Sequence, residues 1–371
     1  MHKTVFEKYD LENKLKIPQK KQSIANYHKL ARKKKLIGLM MLAAVFLLSL
    51  VAINAGSSKI DPFQVLLTIF GHGEGNSSVV IWNIRLPRVV SAVVAGAGLS
   101  VAGCVMQNNL RNPLAEPTTL GISHAAAFGA NIAIILWGAG SIQSTSGDAV
   151  IISNPYMVTV SAFFWAMVAT MVILALARFR GFAPETIVLA GVALNFLFMA
   201  GTTIIQYFAD DVQIAASIFW TFGDLGRSSW PEVAIMVTAV FLSLIYFIIK
   251  RWDYNALAVG EESAKGLGVN VEYTRFFGTL LASAITAVTV SFLGIIGFIG
   301  LLGPHMMRRI IGEDHRFLIP ISALAGSVLL LIADTLARTI ISPVILPVGA
   351  ITSFLGAPLF LYLLMRGYEK K

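Results

Sequence analysis

Long apolar runs alternate with short polar segments along the chain after residue 35. A helix needs about 20 mainly apolar residues to cross the hydrocarbon core of a bilayer, and most of these runs approach or exceed that length. The runs cover residues 36–53, 89–106, 118–137, 156–177, 186–208, 232–249, 276–303, 318–341 and 345–365. The pattern therefore predicts an all-α polytopic membrane protein.

The distribution of basic residues predicts how these runs cross. With a cytoplasmic N-terminus and runs of alternating direction, 24 of the 29 Lys and Arg residues are cytoplasmic, as the positive-inside rule requires. This allocation holds only if run 276–303 returns to the side that it left. Its glycines and Pro304 allow the chain to turn. We therefore predict a full helix followed by a short, broken return helix through Pro304 and His305, which gives ten transmembrane helices and two cytoplasmic termini.

Two polar segments on the cytoplasmic side are long enough to matter. Residues 1–35 carry 11 Lys and Arg residues and little to bury, so we expect a basic, partly disordered tail before a ten-helix domain over residues 36–371. Residues 251–274 carry Glu261, Glu262 and Lys265 among small residues and glycines. This segment fits two short helices with a turn near Gly266 and Gly268, and such a hairpin is a docking surface for a partner.

Composition narrows the class of function. The chain is 56% hydrophobic and 13% charged, whereas soluble domains carry about 25% charged residues. Its net charge of +9 lies at the ends of apolar runs and accompanies no base-reading module, so we expect no nucleic-acid partner. The sequence contains no phosphate-binding loop, nucleophile elbow or paired zinc-ligand motif. It therefore predicts neither an enzyme nor a bound cofactor or metal, and the single Cys104 is interpreted as a packing residue.

Charge is scarce inside the apolar runs. Asp334 is the one carboxylate well inside a run, and Arg338 follows one helical turn later, which favours a self-neutralised pair. An ion-coupled carrier needs intramembrane acids or bases as coupling sites. A stand-alone secondary transporter is therefore the less favoured alternative, and the energy for transport is expected to come from another subunit.

Two groups of polar residues remain as candidate functional sites. Residues 111–117 read Arg-Asn-Pro-Leu-Ala-Glu-Pro, and non-helical backbone at membrane depth must be buried in protein or line an aqueous cavity. Outside the membrane, Arg85, Arg88 and Arg338 are among the few basic residues. They are typical either of anchors at lipid headgroups or of a positive patch for a negatively charged partner, and both interpretations stay open at this point.

Short motifs recur in a fixed order between about residues 85 and 366. They include Arg-Leu-Pro-Arg at 85–88, Asn-Pro-Leu-Ala-Glu-Pro at 112–117, Gly-Phe-Ile-Gly-Leu at 297–301 and Leu-Pro-Val-Gly at 346–349. Further motifs lie at residues 95–98, 105–107, 120–123, 189–194, 220–225, 260–262, 267–269, 304–308, 314–316, 333–338 and 356–358. In this order the motifs resemble the FecCD/vitamin-B12-permease family of ABC importers, and the basic tail is the part not covered.

The resemblance implies the type II ABC importer permease architecture with ten transmembrane helices. It further implies a second, identical or similar permease, two cytoplasmic ATP-binding subunits and an external substrate-binding protein. The family's site residues carry over as arginines that meet the binding protein, a cytoplasmic gate and an ATPase-coupling segment. These are, respectively, Arg85, Arg88 and Arg338; Asn112 and Leu114; and Gly260, Glu261, Glu262, Leu267 and Gly268.

The resemblance also bears on cargo and location. The family carries iron–siderophore complexes, haem or cobalamin across the bacterial cell membrane. We expect a ferric siderophore as cargo, with haem and cobalamin as alternatives within the same family. ATP hydrolysis would take place in the partner subunit, so this chain would supply only the pathway and the docking surfaces.

Overall fold

Helices make up nearly all of the secondary structure in the computed structural model, which describes residues 3–55, 65, 67–68, 76–141, 151–152 and 154–367. The α-helices are α1 Lys3–Asn54, α2 Leu86–Asn109, α3 Ile122–Asn131, α4 Pro155–Arg178, α5 Pro184–Tyr207, α6 Asp211–Thr221, α7 Trp230–Ile249, α8 Arg251–Val259, α9 Glu261–Gly266, α10 Val271–Leu293, α11 Ile299–Ile311, α12 His315–Thr339 and α13 Val348–Gly367. A helical turn Asn76–Val80 and a π-helical turn Ile81–Arg85 lead into α2, and a π-helical turn Ile132–Leu136 continues α3. The strands described, β1 Gly140–Ser141 and β2 Ile151–Ile152, form one two-residue antiparallel pair.

Nine of these helices have the apolar character of membrane helices, and we count α11 as the tenth. Seven are long and apolar enough to cross a bilayer, namely Tyr27–Asn54, Ser78–Asn109, Pro155–Arg178, Pro184–Tyr207, Trp230–Ile249, Val271–Leu293 and His315–Thr339. Two shorter apolar helices, Ile122–Leu136 and Val348–Leu363, and the 13-residue α11 complete the set within the described residues. The prediction of an all-α polytopic membrane protein is confirmed.

The segment after α10 leaves the helical conformation within the stretch where the sequence predicts a turn. Helix α10 ends at Leu293, and Gly294 follows with a φ of 79°. A Cβ atom at Gly294 would lie 2.8 Å from the carbonyl oxygen of Trp220, so only glycine fits this turn. Helix α11 then begins at Ile299 and contains Pro304. A full helix is thus followed by a short helix that continues through Pro304, and the return to the cytoplasmic side stays a prediction.

Helix α2 lies at the centre of the bundle, where it packs against α12, α10, α11 and α7. Its glycines allow backbones to touch, since a methyl group at Gly103 would overlap the carbonyl oxygen of Gly300 on α11. On α12, the Ser322 carbonyl oxygen accepts a hydrogen bond from Ser100 Oγ at 2.6 Å. Small residues and interhelical hydrogen bonds of this kind bring membrane helices together, because lipid gives no hydrophobic drive for their association. The centre of the bundle is therefore tightly packed.

Helix α1 continues through the boundary expected between tail and membrane domain. It begins at Lys3 and ends at Asn54, so the expectation of a partly disordered tail is wrong. Ten of the 35 residues before the first apolar run are Lys, which is a good helix former, and the helix of the span propagates through them. Helix α1 packs mainly against α12.

The segment 251–274 forms the two short helices that the sequence predicts, α8 and α9. The turn between them lies at Gly260, with a φ of 149°, rather than near Gly266 and Gly268. Gly268, with a φ of 81°, lies in the later turn between α9 and α10. Both turns use backbone conformations that favour glycine, and glycine composition alone did not distinguish them. We call α8, α9 and the turn up to Gly268 the hairpin.

Candidate functional site

A buried cluster of charges lies at one end of the bundle, where α2 begins and α12 ends. Asp334, with no exposed surface, accepts hydrogen bonds from Arg88 Nε at 2.9 Å and from Arg338 Nε at 3.0 Å. Arg88 also lies 3.5 Å from Asp224, whose side chain is 40% exposed. The predicted pair of Asp334 and Arg338 is confirmed. Its third member, Arg88, was not predicted as a partner of Asp334.

The same arginines hold the end of helix α1. Arg85 Nη1 donates to the carbonyl oxygen of Ile53 at 2.7 Å. Arg338 donates to the carbonyl oxygens of Ala52 at 3.0 Å and Ala55 at 2.5 Å. The last carbonyl groups of a helix lack partners within the helix and carry partial negative charge, so guanidinium groups stabilise them. We call Arg85, Arg88, Asp334 and Arg338 the arginine cluster.

The structure thus brings the three arginines of the sequence-based docking prediction together, but in buried positions. Arg85 is 5% exposed, Arg88 is 7% exposed and Arg338 is 8% exposed. Anchoring at lipid headgroups requires side chains that reach the membrane surface, so burial disfavours that alternative. Docking stays a prediction, and from this conformation it would require the guanidinium groups to exchange internal oxygen atoms for a partner's carboxylates.

The residues predicted to form the cytoplasmic gate, Asn112 and Leu114, lie in the turn that follows α2. Arg111 has a φ of 47°, and the side chain of Asn112 accepts a hydrogen bond from the backbone N–H of Leu114 at 2.9 Å. This local turn leaves Leu114 exposed. Glu116 is buried, accepts a hydrogen bond from the hydroxyl of Thr118 and begins the short 3-10 helix Pro117–Leu120. We call residues 110–117 the gate turn.

A polar cavity of about 340 Å³ lies behind the gate turn, between α2, the hairpin and the start of α12. It is lined by Gln107, Asn108, Arg111, Asn112, Pro113, Ala258, Arg308, Glu313 and His315. Gln107 connects two helices here, since its Oε1 accepts from Arg308 at 2.8 Å and its Nε2 donates to the Gly300 carbonyl oxygen at 3.3 Å. Sequence reasoning had included Gln107 and Arg308 in motifs without giving them a role.

The hairpin presents Glu262, Leu267 and Gly268 to solvent, and Leu267 is 73% exposed. Glu261 differs from Glu262, because it forms ion pairs with Lys265 and with Arg275, each at 3.0 Å. The hydrogen bond from Lys265 lowers the pKa of Glu261, and the positive charge of Arg275 acts in the same direction. The exposed part of the hairpin agrees with the prediction of a docking surface, which stays a prediction.

A second arginine fixes the hairpin to α12 and α1. Arg316 pairs with Asp314 at 2.5 Å and lies over the ring of Trp252, 4.7 Å from its centroid, with the ring of Tyr27 on α1 at 5.9 Å. Asn255 Nδ2 donates to Asp314 at 3.0 Å. Burial alone would raise the pKa of Asp314, but the hydrogen bonds from Arg316 and Asn255 lower it to about 2. At Tyr27, helix α1 is thus held against the hairpin end of the bundle.

Metal-ligand chemistry finds no support in the part of the chain that the structure describes, because no group of three or more His, Cys, Asp or Glu side chains is close enough to hold an ion. Cys104 is buried and unpaired within α2. In the described part of the chain, charged side chains lie at the two ends of the bundle, on either side of a tightly packed centre.

Comparisons with known proteins identify relatives over nearly the whole chain. The sequence model of the FecCD transport family matches residues 41–366. An ABC transporter permease protein of Methanocaldococcus jannaschii is 57% identical, over 95% of this chain and 99% of the relative. The hemin transport permease HmuU of Yersinia pestis is 36% identical, over 89% of this chain and 97% of the relative. The Fe(3+)-citrate import permease YfmE of Bacillus subtilis is 35% identical, over 90% and 96%.

A solved structure of a metal-chelate type ABC transporter in an inward-facing conformation also matches. Its TM-score is 0.76 at 26% identity, and the match covers 90% of this chain and 99% of the solved chain. The shared fold thus extends over nine tenths of this chain.

Proposed function

Because this chain belongs to the FecCD transport family, we propose that it forms the membrane pathway for an iron chelate, a ferric siderophore by preference. The chain is a multi-pass permease subunit of an ABC importer and not an enzyme, and ATP is hydrolysed by a separate subunit. Membership of the family implies an ATPase partner, a substrate-binding protein and a permease dimer. The proposal concerns the cargo, its delivery and the residues that serve each step.

The cargo proposal is supported chiefly by the relatives. Two of the relatives are named for hemin and for Fe(3+)-citrate, and the solved neighbour is named for metal chelates. An iron chelate is bulky and hydrophilic, so it suits a pathway of small, weakly polar residues better than a fixed charged site. Haem or cobalamin is the alternative, since a further relative is named for vitamin B12 import.

The positions of the arginine cluster and the hairpin, at opposite ends of the bundle, support delivery of cargo at one end and docking of the ATPase at the other. Helix α2 separates the arginine cluster from the gate turn by 24 residues, or about 36 Å at 1.5 Å per residue. We assign the arginine cluster to the substrate-binding protein, the gate turn with Asn112 and Leu114 to the cytoplasmic opening, and the hairpin to the ATPase. Both termini of the chain would then be cytoplasmic, and the membrane would be the bacterial cell membrane.

ATP-dependent uptake tests the proposed function directly. The chain, its ATPase and its binding protein are reconstituted in vesicles, and uptake of a radioactive ferric siderophore is measured with and without ATP. We expect the ferric siderophore to accumulate in the vesicles only when ATP is present. Excess hemin or cobalamin, added as a competitor, should leave this uptake unchanged. If the chain purifies without an ATPase and takes up cargo independently of ATP, the proposal is wrong. Competition by hemin or cobalamin would instead favour the alternative cargo.

Site-specific cross-linking tests the two docking surfaces. Leu267 on the hairpin and Val344, in the turn after α12, are 73% and 58% exposed, and Cys104 is buried and would not react. We expect a photo-crosslinker on Leu267→Cys to capture the ATPase and one on Val344→Cys to capture the binding protein. Phe241→Cys, on the exposed face of α7, is the control and should capture neither. Capture of the same subunit from both positions would contradict the assignment.

A further inference from the structure

Arg275 is the largest fully buried side chain in the described part of the protein, with 1% of its surface exposed. It lies in the second turn of α10, next to the hairpin. A buried guanidinium group is costly unless an opposite charge accompanies it. Glu261 supplies that charge, with Oε2 3.0 Å from Arg275 Nη1. The sequence uses Arg275 only to mark a membrane boundary, and the assignment of Glu261 to ATPase docking does not account for this contact.

Arg275 also contacts two other elements at the cytoplasmic end of the bundle. Its Nη1 donates to the carbonyl oxygen of Phe182 at 3.3 Å, in the turn between α4 and α5. Its own carbonyl oxygen accepts from Asn109 Nδ2 at 3.4 Å, at the last residue of α2. Asn109 comes immediately before the gate turn. One arginine thus touches the hairpin, the α4–α5 turn and the helix that leads into the gate turn.

The space beside this ion pair is shared by the same elements. A cavity of about 390 Å³ is lined by Glu261, Arg275 and Arg111 of the gate turn. Arg180, in the α4–α5 turn, and Glu185, in the first turn of α5, also line it. Glu261 is 31% exposed, so water reaches one side of the pair. The pair therefore has room to change its geometry, which tightly packed apolar side chains would lack.

We propose that Arg275 is a positioning residue that links the hairpin to the gate turn, and that its ion pair with Glu261 is its contact with the hairpin. The proposal rests on the proposed function, in which the ATPase seats on the hairpin. Glu261 faces inward and transmits the position of the hairpin, whereas the exposed Glu262 and Leu267 face the ATPase. A displacement of the hairpin then moves Arg275, and with it the end of α2.

Hydrogen–deuterium exchange on the full chain, without partners, tests the link independently of transport. Glu261→Gln removes the negative charge of the Glu261 side chain and keeps its shape. We expect faster exchange in the hairpin and also in the gate turn. Glu272→Gln is the matched control, because Glu272 is exposed nearby on α10 and forms no ion pair with any described residue. It should change neither segment. Faster exchange confined to the hairpin would overturn the link.

Coupling measured in reconstituted vesicles provides the second readout. With Glu261→Gln, we expect the chelate transported per ATP hydrolysed to fall about tenfold, within the range for residues that carry coupling. Arg275→Lys keeps the charge and should recover part of the coupling in comparison with Arg275→Gln. Unchanged coupling in Glu261→Gln would also overturn the proposal. A wild-type chain that shows no ATP-dependent uptake, yet retains the linked exchange, would instead refute the proposed function.

Discussion

Replacing Asp334 with asparagine is expected to lower the free energy of unfolding by about 3–5 kcal/mol, the cost of removing one partner from a buried ion pair. Asp334 is fully buried and receives the guanidinium groups of Arg88 and Arg338. Asparagine retains the shape of the side chain but removes the carboxylate that both buried guanidinium groups share, and the 40% exposed Asp224 compensates little for Arg88. The loss should also loosen α1, because Arg338 holds its last carbonyl groups.

Thermal unfolding of the purified chain in detergent measures this effect. Asp224→Asn is the matched control, since Asp224 lies 3.5 Å from Arg88 but is 40% exposed. Exposed pairs contribute about 0–1 kcal/mol, so the control should unfold close to wild type. Equal losses of stability in the two variants would show that Asp334 contributes no more to the arginine cluster than the exposed Asp224 does.

Replacing Gly103 with alanine is expected to lower the free energy of unfolding by about 3 kcal/mol, at the upper end of the range for overpacking. The added methyl group would overlap the backbone of Gly300, which is not the movable end of a side chain. Helices α2 and α11 would have to separate, and α12 would lose contact as well, since the same face of α2 meets Gly326 through Gly96.

The control for this substitution is Gly266→Ala at the end of α9, where a Cβ atom meets nothing within 4 Å. Alanine is also the better helix former, so this change should leave stability unchanged or raise it slightly. Melting temperatures of both variants, measured in the same detergent, decide the outcome. If the Gly103→Ala protein had the melting temperature of the wild type, the helices could separate without loss of stability, which would contradict the prediction.

Local sequence patterns predicted a large part of this fold. Hydropathy predicted the spans, because the apolar character of a span depends on residues within one element. The pair of Asp334 and Arg338 was predictable for the same reason, as the two side chains lie four residues apart on one helix. The turn at Gly260 was not predicted, because several glycines lie close together and only packing decides which one turns.

Contacts between distant segments could not be predicted in this way. Arg88 and Asp334 are 246 residues apart, and no periodicity joins them. The inward role proposed for Glu261 is equally hidden, because Glu261 and Glu262 are neighbours of the same type in the sequence. Only the fold shows that one of them reaches the buried Arg275. The helical state of the basic extension was missed because composition was weighed without the helix that follows it.

The hydrogen bonds from Arg338 to the end of α1 can form only late in synthesis, after α1 has been made. The carbonyl groups of Ala52 and Ala55 find their donor 286 and 283 residues later in the chain. At roughly 5–20 residues per second, the ribosome needs about 15–60 s to supply it. Until Arg338 is synthesised, the last carbonyl groups of α1 must therefore accept hydrogen bonds from water or from the nearer Arg85. A nascent chain halted before α12 is complete would leave α1 as its least anchored helix.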